Sequence, residues 1–354
     1  MRIETLRQRL RDLGAKPGHE ARVLRAWLQA QPLTAGPRRA EDVLPLAVRE
    51  ALPALAAELD ELARVRSEHP GDDGSARLLV DLPDGQMVES VLLLKDGLCV
   101  STQVGCAVGC TFCMTGRDGL LRQLGSAEIV AQVVLGRQRR PVKKVVFMGM
   151  GEPAHNLDNV FAAIDLLGSE GGIGHKNLVL STVGDRRVFD KLESLQVGDV
   201  RPALALSLHT TDAALRAQLL PRAPQIGIEE LVARGEAWAR ASGYPIQYQW
   251  TLLAGVNDNA AEIDGIVRLL KGKCAVMNLI PYNENEGLGF HRPDRERAAE
   301  MLRTLHRRGI LTKLRNSAGQ DVDGGCGQLR ARAATVKPAE IRRQWRATAT
   351  DAAG

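Results

Sequence analysis

The pattern of apolar and polar positions changes character twice along the 354 residues. Over the first seventy it is helical. Leu6, Leu10 and Leu13 recur on one face before Gly14, and Leu24, Trp27 and Leu28 do so before Pro32. Leu44, Val48, Leu52, Leu55, Leu59 and Leu62 continue the spacing, interrupted by Pro45 and Pro53. Residues 69–75 (HPGDDGS) are rich in turn formers and mark a boundary. ARLLVDL and QMVESVLLL then flank Pro83-Asp84-Gly85, which predicts a β-hairpin with positive φ at its turn. From residue 98 onward, strand-length apolar runs alternate with amphipathic stretches. Strands are expected at 98–104, 144–149, 177–181, 203–208, 246–252 and 275–280, with another near 311–315. Helices are expected at 126–138, 157–168, 228–241 and 258–271.

Strand–helix units at this spacing predict an α/β fold with a parallel sheet. Six or so units fit a partial barrel, (β/α)6 and TIM-like, better than a closed barrel of eight. The expected division is a helical accessory domain at 1–70, a linker and hairpin at 71–97, the barrel at 98–335 and a loose tail at 336–354. Parallel barrels gather ligands at the C-terminal ends of their strands. Polar residues stand there in this chain. Gly151 and Glu152 follow the strand at 145–148, Ser181 ends NLVLS, Ser207, Leu208 and His209 end ALALS, and Asn283 follows MNLIPY.

Composition narrows the setting. No apolar run reaches the roughly 18 residues a membrane span needs, and the first residues, MRIETLRQRLRDLG, lack a secretory leader's apolar stretch. A cytoplasmic protein without a membrane partner is expected. Net charge is +5, with basic clusters at 137–144 (RQRRPVKK) and through 303–346, a distribution that suits a polyanion such as RNA. Aromatic residues are only 3%, so widespread stacking on nucleobases is excluded.

Cysteine usage carries the chemistry. Of six cysteines, Cys106, Cys110 and Cys113 fall within GCAVGCTFC, just past an expected strand, with Gly105 and Gly109 allowing tight curvature. One short loop with this spacing wraps an ion or a cluster. A structural zinc site wants four closed ligands, and no fourth Cys or His lies near in sequence, so zinc requires a distant ligand. A four-iron cubane held by three thiolates leaves one iron open to a substrate molecule. The remaining alternative is three buried thiols without metal. Cys99 reads alone as a strand thiol, Cys274 as a small buried thiol, and Cys326 as a thiol in the flexible turn DGGCG.

Taken in order, CVSTQVGCAVGCTFCMTG, VVFMGMGEPAHNLDNV, LST, ALSLHTT, NLIPYN and DVDGGCGQL resemble the RlmN/Cfr group of radical S-adenosylmethionine RNA methyltransferases, over roughly residues 86–330. The resemblance implies a [4Fe–4S] cluster on Cys106, Cys110 and Cys113. It implies S-adenosylmethionine, two molecules per turnover, held by Gly151, Glu152, Ser181, Ser207, Leu208, His209 and Asn283. One molecule gives a methyl group to Cys326; the deoxyadenosyl radical from the other removes a hydrogen from that methyl. The carbon radical then adds to an electron-poor adenine carbon. Glu89 on the hairpin is implied as the proton acceptor, and Cys99 as the thiol that resolves the adduct through a transient disulfide with Cys326. The implied substrate is an adenosine of rRNA or tRNA, at C2 by the commoner precedent and C8 by the rarer one. A different RNA or a non-RNA target is the alternative. The implied electron donor is a small protein such as flavodoxin or ferredoxin. The N-terminal helices, with Arg7, Arg11, Arg22 and Arg25, loosely resemble the group's helical RNA-binding domain. The chain departs from the group's pattern at Met114, in 119–124 (GLLRQL), in 221–224 (PRAP) and in 323–325 (DGG).

Overall fold

The computed structural model describes residues 1–285, 287–315 and 318–331, so the expected tail at 336–354 and the last four expected barrel residues lie outside the described residues. Four helices open the chain: α1 (Ile3–Asp12), α2 (Pro17–Leu28), α3 (Ala40–Val43) and α4 (Leu46–Glu61). α4 runs through Pro53, which the pattern reads as an interruption. The helical reading also extends too far. Arg64–Pro70 is a strand, β1, paired antiparallel with β2 (Ala76–Asp81). It alternates half-buried and exposed positions, but Val65 is the single aliphatic residue among the half-buried ones. Its stability comes from pairing with β2, including an Arg66–Asp81 ion pair at 2.8 Å, and not from an apolar stripe that periodicity detects.

β2 and β3 (Met87–Leu93) form the expected hairpin, with Gly85 at φ +78° in its turn. β3 pairs antiparallel with β4 (Gly97–Cys99), which splices the hairpin onto the barrel sheet. The strand expected at 98–104 is split. The chain leaves β4 after Cys99, and β5 (Gln103–Gly105) pairs instead with β6 (Leu120–Gln123) in a separate antiparallel ribbon. That ribbon clamps both ends of the cysteine loop. Then follow α5 (Ser126–Arg137), β7 (Lys144–Phe147), α6 (Leu157–Ser169), β8 (Leu178–Thr182), α7 (Arg186–Glu193), β9 (Ala203–Ser207), α8 (Ala213–Leu219), α9 (Ile228–Ser242), β10 (Ile246–Leu252), α10 (Ala260–Leu270), β11 (Ala275–Pro281), α11 (Arg295–Arg307) and β12 (Thr312–Leu314).

The main sheet has ten strands in the order β1-β2-β3-β4-β7-β8-β9-β10-β11-β12, parallel from β4 onward. It is the partial barrel the alternation predicts, preceded by an antiparallel three-strand wing. The parallel strands are buried on both faces, as in β9, where Ala203, Leu204, Ala205 and Leu206 are all enclosed. The N-terminal helices belong to the same hydrophobic core as the barrel: Leu6, Leu24 and Leu28 pack in one cluster with Ile129, Val130 and Val133 of α5. The Ile3 amide donates to Ser126 Oγ at 2.9 Å, and Arg137 caps the Leu28 carbonyl at 2.7 Å.

The chain after β12 returns across the barrel mouth to the opposite edge of the sheet. The Gly319 amide donates to Asp73 at 3.1 Å, the Asp72 amide to Asp321 at 2.9 Å, and Arg77 Nε to the Val322 carbonyl at 2.5 Å. Residues 318–331 thus form a strap between the two ends of the sheet.

Candidate active site

The cysteine loop owes its shape to two glycines. Gly105 has φ +75°, and a Cβ there would lie 2.0 Å from the Gly119 carbonyl oxygen across the ribbon. Gly109 has φ +64°, and the Arg222 guanidinium occupies the space its Cβ would fill. The Cys113 amide donates to the Cys110 carbonyl at 3.0 Å, closing the turn, and the Cys106 amide donates to Gly119 at 3.1 Å. The three thiols are half-buried and pack on an apolar cluster of Val108, Phe112, Val183, Leu219, Leu220, Leu253 and Tyr282. Burial pushes Cys106 up to about 12. Burial first, then the neighbouring Cys113 and Cys106, raises Cys110 in the same direction. Burial thus favours the neutral thiol at Cys106 and Cys110.

Among the described residues, no three His, Cys, Asp or Glu side chains are gathered tightly enough for one metal ion. A four-iron cluster takes each thiolate on a different iron, so its ligands stand farther apart than a single ion's. Three soft donors on a tightly curved loop, with no fourth beside them, suit that cluster.

The strand ends facing the loop carry the other residues singled out from sequence. Gly151 has φ +102°, and a Cβ there would lie 2.6 Å from the Gln103 side chain. Glu152 is 4% exposed. It accepts hydrogen bonds from the Ala154 amide (3.0 Å), the Val183 amide (2.9 Å) and the Thr182 hydroxyl; burial raises its pKa while these bonds pull it back. Ser181 lies half-buried at the end of β8, and Ser207 at the end of β9. The Leu208 amide donates to the Gln249 carbonyl at 3.0 Å, so this corner is pinned to β10.

His209 adopts φ +62°. Its Nδ1 accepts from the Thr251 amide at 3.0 Å, which leaves the proton on Nε2, and its ring meets Phe112 of the cysteine loop edge-on at 4.9 Å. Burial, with Arg216 nearby, pushes its pKa down to about 3. Asn283 is buried past the end of β11, and its Nδ2 donates to the Cys326 carbonyl at 3.0 Å.

Cys99 ends β4 and is buried. Burial raises its pKa, and the nearby Cys326 adds to the rise, so the two remote thiols are neighbours across the mouth. Cys326 is exposed on the strap. The strap is fastened to the cysteine loop by the Met114 amide on the Gly327 carbonyl (2.8 Å) and by Thr115 Oγ1 on the Leu329 carbonyl (2.6 Å).

Glu89 is fully enclosed, not a solvent-facing strand residue. Its Oε1 pairs with Arg77, and its Oε2 accepts from the Arg330 and Ala331 amides at 2.7 and 3.1 Å. The buried chain Ser90–Gln132–Ser101 supports its backbone, with Ser101 Oγ donating to the Glu89 carbonyl at 2.6 Å. Cys274 stands apart on the far side, half-buried, its amide on Glu236.

Two residues the sequence reading passed over belong to this site. Arg77 is Glu89's partner and is signalled only as a cation ahead of the apolar run Leu78–Val80 on the hairpin strand. Arg216 sits on the buried face of α8, where an apolar residue is the ordinary choice.

A partial barrel whose open mouth presents a three-thiol loop, with polar residues at the facing strand ends, defines a radical S-adenosylmethionine enzyme. The radical SAM superfamily model matches residues 100–270. A relative from Stutzerimonas stutzeri named "Probable RNA methyltransferase" is 71% identical over 338 residues, covering 95% of this chain and 98% of the relative. Another from Thiobacillus denitrificans, with the same name, is 70% identical over 353 residues, covering 100% and 97%. The crystal structure of a radical SAM methyltransferase from Sphaerobacter thermophilus superposes with a TM-score of 0.79 at 34% identity, covering 94% of this chain and 98% of that one. The chain belongs to the RlmN/Cfr-type family of radical SAM methyltransferases. Membership implies a [4Fe–4S] cluster and S-adenosylmethionine. Among the described residues, no helix is long and apolar enough to cross a membrane.

Proposed function

We propose that this enzyme methylates a ring carbon of adenine, C2, in rRNA or tRNA, through an S-methyl group carried on Cys326. The observation that carries this reading is the pairing of an exposed thiol on a strap with a buried thiol on the rigid sheet, Cys326 with Cys99, beside a loop of three further thiols. An ordinary methyl transfer needs a nucleophilic acceptor, and an electron-poor adenine carbon is not one. A mobile carrier thiol answers that difficulty. The RNA assignment is supported by the printed names of the relatives and by the net charge of +5.

Cys106, Cys110 and Cys113 would hold the cluster, with Gly151, Glu152, Ser181, Ser207, Leu208, His209 and Asn283 around S-adenosylmethionine. When bound, these groups supply a transferable methyl and, on one-electron reduction, a hydrogen-atom acceptor; two molecules of S-adenosylmethionine are consumed per turnover. A small reducing protein such as flavodoxin or ferredoxin delivers the electron.

The chain's own residues do the rest. Glu152 offers a buried carboxylate to an ammonium group. Cys326 attacks the methyl carbon as a thiolate and later links the methylene to the base. Glu89 then takes the proton from the substituted carbon, the adduct's unpaired electron being one that the bound iron–sulfur group would accept. The Cys99 thiolate attacks the Cys326 sulfur, the C–S bonding pair leaves on the methylene carbon, and a proton completes the methyl group, so that methylated base is released and a disulfide remains. In the described pose Glu89 is fully engaged by Arg77 and by the Arg330 and Ala331 amides. Its use as a base therefore requires the strap to shift, which is the same movement that carries Cys326.

Mass spectrometry of anaerobically expressed, cluster-loaded protein tests this directly. One added methyl on Cys326 is expected, and its absence would reject the scheme. Nucleosides from a strain lacking the gene, compared with its parent, should lose one C-methylated adenosine. Loss of the C8 isomer, or of none, would reject C2. The departures at 119–124, on β6 beside the cysteine loop, and at 221–224 and 323–325, on loops, favour an RNA site of this chain's own.

A further inference from the structure

α8 buries a cation. Arg216 is 6% exposed. Its Nη2 donates to the Val183 carbonyl at 2.5 Å and the Ser207 carbonyl at 3.1 Å, just past β8 and at the end of β9. Its Nε has no hydrogen-bond partner among the described residues, and no carboxylate there lies within ion-pairing distance of it. A buried guanidinium balanced only by carbonyl dipoles is unfavourable unless negative charge stands near it.

The surroundings say where that charge belongs. The end of α8 is fastened to the cysteine loop, with the Thr111 amide on the Leu219 carbonyl at 3.0 Å. Leu215, Leu219 and Val183 pack in one cluster with Cys106, Cys110 and Cys113. The Val183 peptide is shared: its carbonyl takes Arg216, and its amide serves Glu152 at 2.9 Å. Burial lowers the Arg216 pKa, and Cys110 and Glu152 are the two nearby groups that, once ionised, act against that.

We propose that Arg216 is a positioning residue for the electrostatics of the thiol loop, a fixed cation that offsets the charge of three ligating thiolates and favours the one-electron-reduced state of the cluster they hold. Reduction adds one negative charge, taken from an external reductant, at a site with little solvent to screen it. Arginine suits the task because it stays protonated when buried. The inference rests on the reading that Cys106, Cys110 and Cys113 ligate a [4Fe–4S] cluster.

The test uses the full chain, reconstituted anaerobically with iron and sulfide. R216Q removes the charge and keeps a donor for one carbonyl; R216M removes both; R216K keeps the charge. Iron content, melting of the apo protein and an EPR-monitored redox titration are read for each. The midpoint potential of R216Q and R216M is expected to fall below the parent's, with R216K closer to it and iron content maintained. An unchanged midpoint in iron-loaded R216Q overturns the proposal. So does collapse of both neutral apo variants, which would make Arg216 a residue of the fold alone. A parent that takes up no iron refutes the cluster reading itself, and this inference with it, before any variant is compared.

Discussion

Removing the Glu89 carboxylate should release the strap that carries Cys326. Oε2 is the acceptor for two consecutive backbone amides, Arg330 at 2.7 Å and Ala331 at 3.1 Å, and Oε1 pairs with Arg77, which also holds the Val322 carbonyl. A hydrogen bond to a charged group contributes about 1.5–3 kcal/mol. Losing both amide bonds in E89A therefore costs the closed strap about 3 kcal/mol, after allowing for water taking over as acceptor once the segment opens. At 1.4 kcal/mol per tenfold change, backbone exchange in 325–331 should quicken roughly 100-fold. E89Q keeps one neutral acceptor and should give roughly tenfold. Hydrogen–deuterium exchange of the apo protein, read by mass spectrometry, measures this, with β10 as an internal control because it is paired along both edges, with β9 and β11. Exchange in 325–331 that stays within about twofold of the parent, in an E89A protein that melts normally, would refute the latch.

Other outcomes follow from the same geometry. G105A forces a Cβ to 2.0 Å from the Gly119 carbonyl at φ +75°, whereas G85A at φ +78° meets nothing within 4 Å. G85A should cost about 1 kcal/mol in denaturant unfolding, and G105A about 3 kcal/mol or more, with a matching loss of reconstituted iron. C106A should abolish iron uptake and S-adenosylmethionine cleavage while leaving the melting of the apo protein near the parent's, since the thiol is only half-buried. His209 should make the apo protein acid-sensitive. Its pKa is lowered from 6.5 to about 3, so the unfolded chain binds the proton more readily. The stability it contributes is fully present above about pH 6.5 and is lost as pH falls toward 3, by at most about 1.4 kcal/mol per unit. H209N, which tolerates the positive φ, should flatten the melting temperature between about pH 6.5 and 5; an unchanged slope would show that another group carries it.

Periodicity read the barrel well because its inner strands are buried on both faces and most of its helices, α5 excepted, bury one. α5, α6 and α9 begin where the pattern starts them and end within a residue of its limits. It failed where pairing, not burial, builds the element. β1 holds one aliphatic residue among its half-buried positions and exists because β2 lies beside it. The strand expected at 98–104 carries Ser101, Thr102 and Gln103 in its middle, and the chain breaks there, Gln103 finding its partner in Gln123 of a ribbon distant in sequence. The thiol loop and the polar strand ends were legible because glycine and cysteine spacing is local. The tie between Glu89 and Arg330, 241 residues apart, was not, and neither was the cation beneath the loop. Both are contacts that only the closed sheet creates.

The strap comes after every strand of the sheet in the chain, yet it supplies the last wall of the mouth. Synthesis proceeds from the N-terminus, and the strands can pair as they emerge. Until residues 318–331 emerge and cross over, the strands through β11 can pair while the loop thiols are not yet crossed by the strap. Iron and sulfide delivered in that interval meet an open doorway. Delivered to the finished protein, they meet thiols only part-exposed, beside a crossing segment tied to their loop at Gly327 and Leu329.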